Sequence, residues 1–319
     1  MAVFTPLSDA QVAEFLEGFD AGSLISLEGV AAGTENTTFF VTTDRRGLVL
    51  TLFEQGEHAE LPFFVELLDY LDEHRLPVAG PLHDRHGIAL HSLAGKPSLL
   101  FPRLLGKYPK APNLAQCQAL GDALGRMHRV SRHFPGSRPN PRDLHWLLPM
   151  HHKVLVYLSP DDQALMKDEV ESYQGFFGDA PDLPCGALHG DLFRDNTLFE
   201  GDELRGIIDF YNGCTGDLLF DLAIVINDWA TDADGSLDAE RHDTLLRAYL
   251  ARRPLTPGER DAWPMMLRMT ALRYWLSRLL VVYVDPPAHD LTPHDPEQFR
   301  RILLARIDHD TLPLPEVRT

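Results

Sequence analysis

HGDLFRDNTLFEGDELRGIIDFYNGCTGDLLFDLA, residues 189–223, reads as a loop, a hairpin and a second loop. Residues 197–199 and 204–208 are short runs of β-type side chains, which leaves residues 200–203 for the turn. With Asp202 and Glu203 as the central turn residues, counting outward pairs 201 with 204 and sets Asn196 beside Asp209. An amide oxygen and a carboxylate at the open end of a hairpin suit a hard cation such as magnesium, which takes oxygen ligands and keeps waters and substrate phosphates. Asp191 stands five residues before Asn196 in the same loop. Taken alone, His-Gly-Asp is an ordinary turn and Asp209 a strand-end residue. Together with an apolar strand ending in Asp-Phe, and with Asp221 in a Gly-Asp-x-x-x-Asp-Leu-Ala run, the fixed offsets argue against coincidence.

Outward from that segment, a chain of 319 residues that is 44% hydrophobic buries a large core and divides more naturally into two lobes than one. Its 29 basic and 47 acidic side chains leave a net charge of −18, which repels a phosphate backbone and argues against nucleic-acid binding. An anionic substrate then needs a locally positive pocket. Cys117, Cys185 and Cys214 lie far apart without a CxxC pair, so neither a disulfide framework nor a structural zinc site is expected, and a cytoplasmic location fits. MAVFTPLSDA lacks a basic segment followed by an apolar stretch, and LRYWLSRLLVVYV is interrupted by two arginines; neither a signal peptide nor a membrane span is expected.

LISLEGV, TTFFVTT and GLVLTLFE are β-rich, with DRRG as the turn between the last two. Residues 60–75 space Leu61, Phe64, Val65, Leu68 and Leu71 at helical intervals and stop before Pro77, which predicts one amphipathic helix on the sheet. Residues 106–113 hold two prolines, a glycine and two lysines without periodicity, so the predicted lobes are 1–105 and 106–319. The second lobe is predominantly helical: residues 113–129 are amphipathic, Ser159-Pro160 starts a helix, and Thr256-Pro257-Gly258-Glu259 fits a capping box.

HGDLFRDN followed by IIDFYN has the order of the protein-kinase HRDxxxxN loop and DFG Asp, with Gly190 in the arginine's place. The segment resembles the catalytic region of the aminoglycoside-phosphotransferase and choline-kinase superfamily. That resemblance implies an α+β, two-lobed protein-kinase-like fold with a small β-rich N-lobe carrying one helix and a larger α-rich C-lobe. It implies ATP and Mg2+ as cofactors, Asp191 as catalytic base, Asn196 and Asp209 on the metal, and Asp221 bracing the loop. His189 is expected to orient the loop through hydrogen bonds, since a second base would duplicate Asp191.

GVAAGTENTTFFV (29–41), GLVLTLFE (47–54), NDW (227–229) and TALRYWLSRL (270–279) narrow the likeness to the homoserine kinases of that superfamily. This implies transfer of the γ-phosphate of ATP to the hydroxyl of L-homoserine, giving O-phospho-L-homoserine for threonine synthesis. Aminoglycoside, choline or another hydroxyl acceptor stays open, as does a nucleotide-binding pseudokinase. A Walker GxxxxGK[ST] is absent.

AAGTENTT joins two predicted strands and offers Gly33, Thr34, Asn36 and Thr37 to phosphates, or is a plain turn. Thr51 occupies the strand position where this superfamily often has Lys or Arg, so the phosphate charge is met by magnesium and loop amides or by an arginine from elsewhere. LLFPRLLG, with Phe101 and Arg103, is expected to link the lobes beside adenine, although Phe101 suits a core equally well. On the acceptor side, Arg273 is a cation on an apolar segment and is assigned to the homoserine carboxylate, while an acidic partner is expected for Arg278. Asp228 either faces the substrate ammonium, ends its helix or binds Arg273.

Overall fold

The computed structural model describes residues 4–30, 36–54, 58–178, 182–286, 293–308 and 312–315. The chain divides into two compact units, Met1–Gly106 with Arg205–Ile208, and Lys107–Leu204 with Asp209–Thr319. Residues 205–208 group with the first unit because Ile207 bridges Val78 and its amide donates to Pro77 O at 2.7 Å.

The first unit is an antiparallel sheet ordered β1-β2-β3-β5-β4, formed by β1 (Leu24–Gly29), β2 (Asn36–Thr43), β3 (Gly47–Phe53), β4 (His91–Leu93) and β5 (Lys96–Pro102). Every second residue of β2 is buried, so Phe39 and Val41 meet Leu48, Leu50 and Leu52 of β3 and Val12 and Leu16 of helix α1 (Asp9–Leu16). Each such side chain contributes about 1.5–3 kcal/mol by leaving water. Helix α2 (Leu61–Glu73) buries Leu61, Phe64, Leu68 and Leu71 at helical spacing, whereas Val65 is only half-buried. Phe63 and Leu67 fill the buried face beside them.

The second unit contains helices α3 (Leu114–Ser131), α4 (Leu144–Val154), α5 (Pro160–Gly178), α6 (Leu218–Trp229), α7 (Ala239–Arg252), α8 (Pro257–Tyr283) and α9 (Pro296–Ile307). Strands β6 (Cys185–Leu188) and β9 (Cys214–Asp217) form an antiparallel ribbon with Leu188 opposite Cys214. The loop leaving β6 and the segment entering β9 therefore start from the same end of one ribbon. Between them in the chain, β7 (Thr197–Glu200) and β8 (Glu203–Ile207) make the expected hairpin. Its turn falls at Gly201-Asp202, one residue earlier than the sequence count, because Gly201 takes the positive φ (61°) that tight hairpins need. The count that set Asn196 beside Asp209 does not hold; both lie outside the strands, Asn196 closing one 3-10 turn and Asp209 preceding another.

Helix α6 is buried along its entire length, consistent with LLFDLAIVINDW being apolar on every side. Among the described residues no helix is long and apolar enough to cross a membrane.

The start of α3 is capped reciprocally: Asn113 Oδ1 accepts from Gln116 N (2.9 Å) and Gln116 Oε1 accepts from Asn113 N (3.1 Å). The same two side chains hold the hairpin turn, through Asn113 Nδ2 to Asp202 Oδ1 (2.8 Å) and Gln116 Nε2 to Gly201 O (2.9 Å). Asn113→Ala is expected to lower stability by about 1 kcal/mol and Asn113→Ser to recover most of it, read by thermal denaturation.

Candidate active site

After β6 the chain turns sharply at His189 and Gly190. Gly190 has φ 76°, and a Cβ there would lie 2.5 Å from Asn212 O, so this approach requires glycine. His189 Nδ1 accepts from the Asp191 amide (3.2 Å), and Asp191 O accepts from Phe193 N and Asn196 Nδ2, both at 2.8 Å. The loop is thus tied to itself at His189, Asp191 and Asn196.

Asp221, on α6 and without exposed surface, accepts from the backbone amides of His189 (2.7 Å) and Gly190 (2.8 Å). Burial opposes its charge, yet His128 and the Gly190 amide hold the carboxyl below its ordinary range. His128 Nε2 lies 3.4 Å from Asp221 Oδ2, and His128 Nδ1 lies 2.9 Å from Tyr249 Oη. Tyr249 Oη in turn accepts from Arg253 Nη1 (2.8 Å), and Arg253 Nη2 donates to Glu259 Oε1 (2.6 Å). These partners fit a neutral His128 with its proton on Nε2: it donates to the carboxylate and accepts from the phenol. Burial pushes His128 below its ordinary value, against the pull of Asp221.

The half-buried Asp191 carboxylate has one oxygen 3.0 Å from Tyr274 Oη and the other 3.4 Å from Asn212 Nδ2. Tyr274 Oη also lies 2.9 Å from Gly190 O. Burial pushes the Tyr274 phenol well above its usual range, so it stays protonated and donates. Asn212 is steadied by Arg142 Nη1, 3.1 Å from its Oδ1. Neither Tyr274 nor Asn212 was singled out from sequence. Both sit inside phrases that were, TALRYWLSRL and DFYN, but nothing in their spacing shows that they converge on Asp191.

Asn196 spends Nδ2 on Asp191 O, which leaves Oδ1 as the side-chain atom able to meet a cation. Asp209 is exposed, with left-handed backbone (φ 65°, ψ 57°) at the end of β8. Among the described residues no three His, Cys, Asp or Glu side chains converge. One amide oxygen and one carboxylate are what magnesium needs beside nucleotide phosphates.

Asp228, read from sequence as facing a substrate ammonium, ending its helix or binding Arg273, is held by Arg194 of the loop. One oxygen accepts from Arg194 N (2.8 Å) and Nε (3.1 Å), and the other pairs with Arg194 Nη2 (3.0 Å). A carboxylate at the start of a 3-10 turn meets free amides there, and Arg194 supplies the counter-charge. Arg278 donates to Asp295 O and Gln298 Oε1, both at 2.8 Å, and among the described residues to no carboxylate. Arg273 is 4% exposed; its guanidinium stacks 4.2 Å from the Tyr274 ring centre, and its Nε and Nη1 have no hydrogen-bond partner among the described residues.

Of the nucleotide candidates, Gly33 and Thr34 lie outside the described residues. The Thr37 side chain turns into the core. It is fully buried, accepts from Phe4 N (2.9 Å) and Thr5 N (3.1 Å), and donates to Glu54 Oε1 (2.7 Å), because strand alternation turns it to the core face with Phe39 and Val41. Asn36, its neighbour, is half-buried on the opposite face and pairs with Phe53. Phe101 is 8% exposed in β5, and Arg103 stacks 3.7 Å from the Phe40 ring centre. Thr51 is a buried β3 residue between Thr38 and Leu99.

The family model described as "Phosphotransferase enzyme family" matches residues 26–255, and the chain belongs to that family. A homoserine kinase of Pseudomonas aeruginosa (strain UCBPP-PA14) is 45% identical over 306 residues, 96% of each chain. One of Ralstonia pickettii (strain 12J) is 41% identical over 331 residues, 99% of each. Among solved structures, amicoumacin kinase hAmiN in complex with AMP-PNP, Ca2+ and Ami matches with a TM-score of 0.69 over 95% of this chain and 93% of that one; at 16% identity it shows the shared fold.

A histidine held below its solution pKa favours the folded state above that pKa, and the contribution is lost as pH falls from 6.5 toward the folded value. Thermal stability is therefore expected to drop below about pH 6.5 by up to about 1.4 kcal/mol per pH unit from His128. In His128→Gln that part of the slope should disappear, read from melting temperature against pH.

Proposed function

We propose that this protein transfers the γ-phosphoryl group of ATP to the side-chain hydroxyl of L-homoserine, giving O-phospho-L-homoserine and ADP. The observation that carries this is the 45% identity to a homoserine kinase across 96% of both chains, which takes in the whole catalytic segment. The acceptor is a small molecule, and cytoplasmic ATP and a cytoplasmic setting accord with three unpaired cysteines.

In this reading Asp191 accepts the hydroxyl proton as the new O–P bond forms and the β,γ-bridging P–O bond breaks. Tyr274 and Asn212 hold the two carboxylate oxygens in place, and each oxygen retains a lone pair for the incoming hydroxyl. The loop is prevented from drifting by Asp221 on its amides and Asp228 on Arg194, so the base is positioned before substrate arrives. Asn196 Oδ1 and the Asp209 carboxylate would hold magnesium, which when bound supplies charge neutralisation on the phosphates. Gly33, Thr34 and Asn36 remain the proposed phosphate contacts, and residues 99–106, with Phe101 and Arg103, the adenine side.

ADP release with ATP and magnesium should be fast with homoserine and slow with serine, choline and kanamycin; rapid turnover of kanamycin alone would overturn the acceptor. Asp191→Asn should lower kcat by roughly a hundredfold or more while ATP still binds, because positioned proton acceptance contributes about that much. Near-parental activity in a folded Asp191→Asn protein would move the base elsewhere. Asp209→Ala should weaken magnesium-dependent ATP binding itself, measured by titration of a fluorescent ATP analogue with and without the metal.

A further inference from the structure

The second unit holds a pocket of about 350 Å³ whose lining includes Asp143, Tyr173, Asp217 and Arg273, with Leu188 on the side of the catalytic loop. Arg273 is its unsatisfied member: a charge 4% exposed, with two donor nitrogens unbonded, carries a desolvation cost unless an anion completes it. Asp143 and Asp217 supply the opposite sign. Burial pushes Tyr173 above its ordinary value, with Asp143 and Asp217 adding to the rise and Arg273 opposing it, so all three charges act on one phenol. Burial likewise raises Asp217, which accepts from the weak thiol donor of Cys185 at 3.3 Å. Arg142 also lines the cavity but is engaged with Asn212; Arg273, with its unbonded donors, and two carboxylates are the complement of a zwitterion.

We infer that this pocket is the amino-acid end of the acceptor site, with Arg273 taking the α-carboxylate and Asp143 and Asp217 the α-ammonium. The inference rests on the homoserine reading and adds the residues that would select an amino acid over a simple alcohol. The reach is right. From Arg273 Cζ to the Tyr274 ring centre is 4.2 Å and from the phenol to Asp191 Oδ1 is 3.0 Å; with about 2.8 Å from ring centre to phenol oxygen, the guanidinium carbon lies within about 10 Å of the base. An extended homoserine places its hydroxyl about 5 Å from its carboxylate carbon. Adding about 4 Å for a guanidinium–carboxylate fork and about 2.7 Å for the final hydrogen bond, it spans that bound. Serine, one carbon shorter, falls closer to the limit.

The experiment compares three acceptors: L-homoserine, 3-aminopropan-1-ol, which lacks the carboxylate, and 4-hydroxybutanoate, which lacks the ammonium. Arg273→Gln should raise the KM for homoserine and 4-hydroxybutanoate roughly 10- to 150-fold and leave those for 3-aminopropan-1-ol and ATP nearly unchanged. Asp217→Asn and Asp143→Asn should raise the KM for homoserine and 3-aminopropan-1-ol and spare 4-hydroxybutanoate; Asp143 caps α4, accepting from Trp146 N at 3.1 Å, and asparagine keeps that cap. Binding of L-2-aminobutyrate, homoserine without its hydroxyl, is measured by calorimetry on the same proteins and does not require turnover. Its loss in Arg273→Gln would support the subsite even if the parent fails to phosphorylate homoserine, which would count against the functional reading alone. Equal loss with all three acceptors together with a lowered melting temperature, or unchanged KM values and unchanged L-2-aminobutyrate binding, would overturn the subsite and make Arg273 structural.

Discussion

A buried carboxylate holding two backbone amides is the constraint on which the candidate site depends. Asp221 receives the His189 and Gly190 amides from inside a helix with no exposed surface, so its charge is met only by the protein. Removing such a partner leaves amides and a histidine unsatisfied in a dry interior, which is why buried polar contacts specify one geometry strongly. The line from Asp221 through His128, Tyr249 and Arg253 to Glu259 extends that constraint across α3, α7 and the start of α8. The loop therefore inherits its rigidity from three packed helices.

Helix α6 uses its other polar residues in the same manner. Asp228 fixes the far end of the loop through Arg194, while Asn227 donates to Leu267 O and Thr270 Oγ1 at 2.8 Å and accepts from the buried Arg306. Three polar side chains on an otherwise apolar helix thus tie it to the loop, to α8 and to α9. Helix α8 answers from the other side, presenting Tyr274 to the proposed base and Arg273 to the pocket from adjacent positions. Asp191 is positioned where these two helices agree.

The catalytic segment was legible in sequence because its offsets are local: His189, Asp191, Asn196, Asp209 and Asp221 fall within one stretch, and an apolar run ending in Asp-Phe signals a strand leading into a turn. The sheet of the first unit, α2, the span of α3 and the capped start of α8 were legible for the same reason, since period, turn residues and capping pairs act over a few positions. Family likeness supplied the roles that spacing alone could not.

Long-range partners were decided only by tertiary structure. Thr37 looks like a phosphate-loop residue in sequence, and the pleat turns it inward, where it anchors residues 4 and 5. In sequence Asp228 has a substrate ammonium, its own helix end or Arg273 as candidate partners, and Arg194, thirty-four positions earlier, occupies it. The hairpin count erred by one residue because Gly201 can take a positive φ that the pattern of β-type residues does not reveal. Tyr274 reaches Asp191 across eighty-three residues, and Arg273 Nε and Nη1 are left without hydrogen-bond partners among the described residues. Sequence determines which groups are available and where the backbone turns; which charge meets which, and which is left waiting, follows from how whole helices pack.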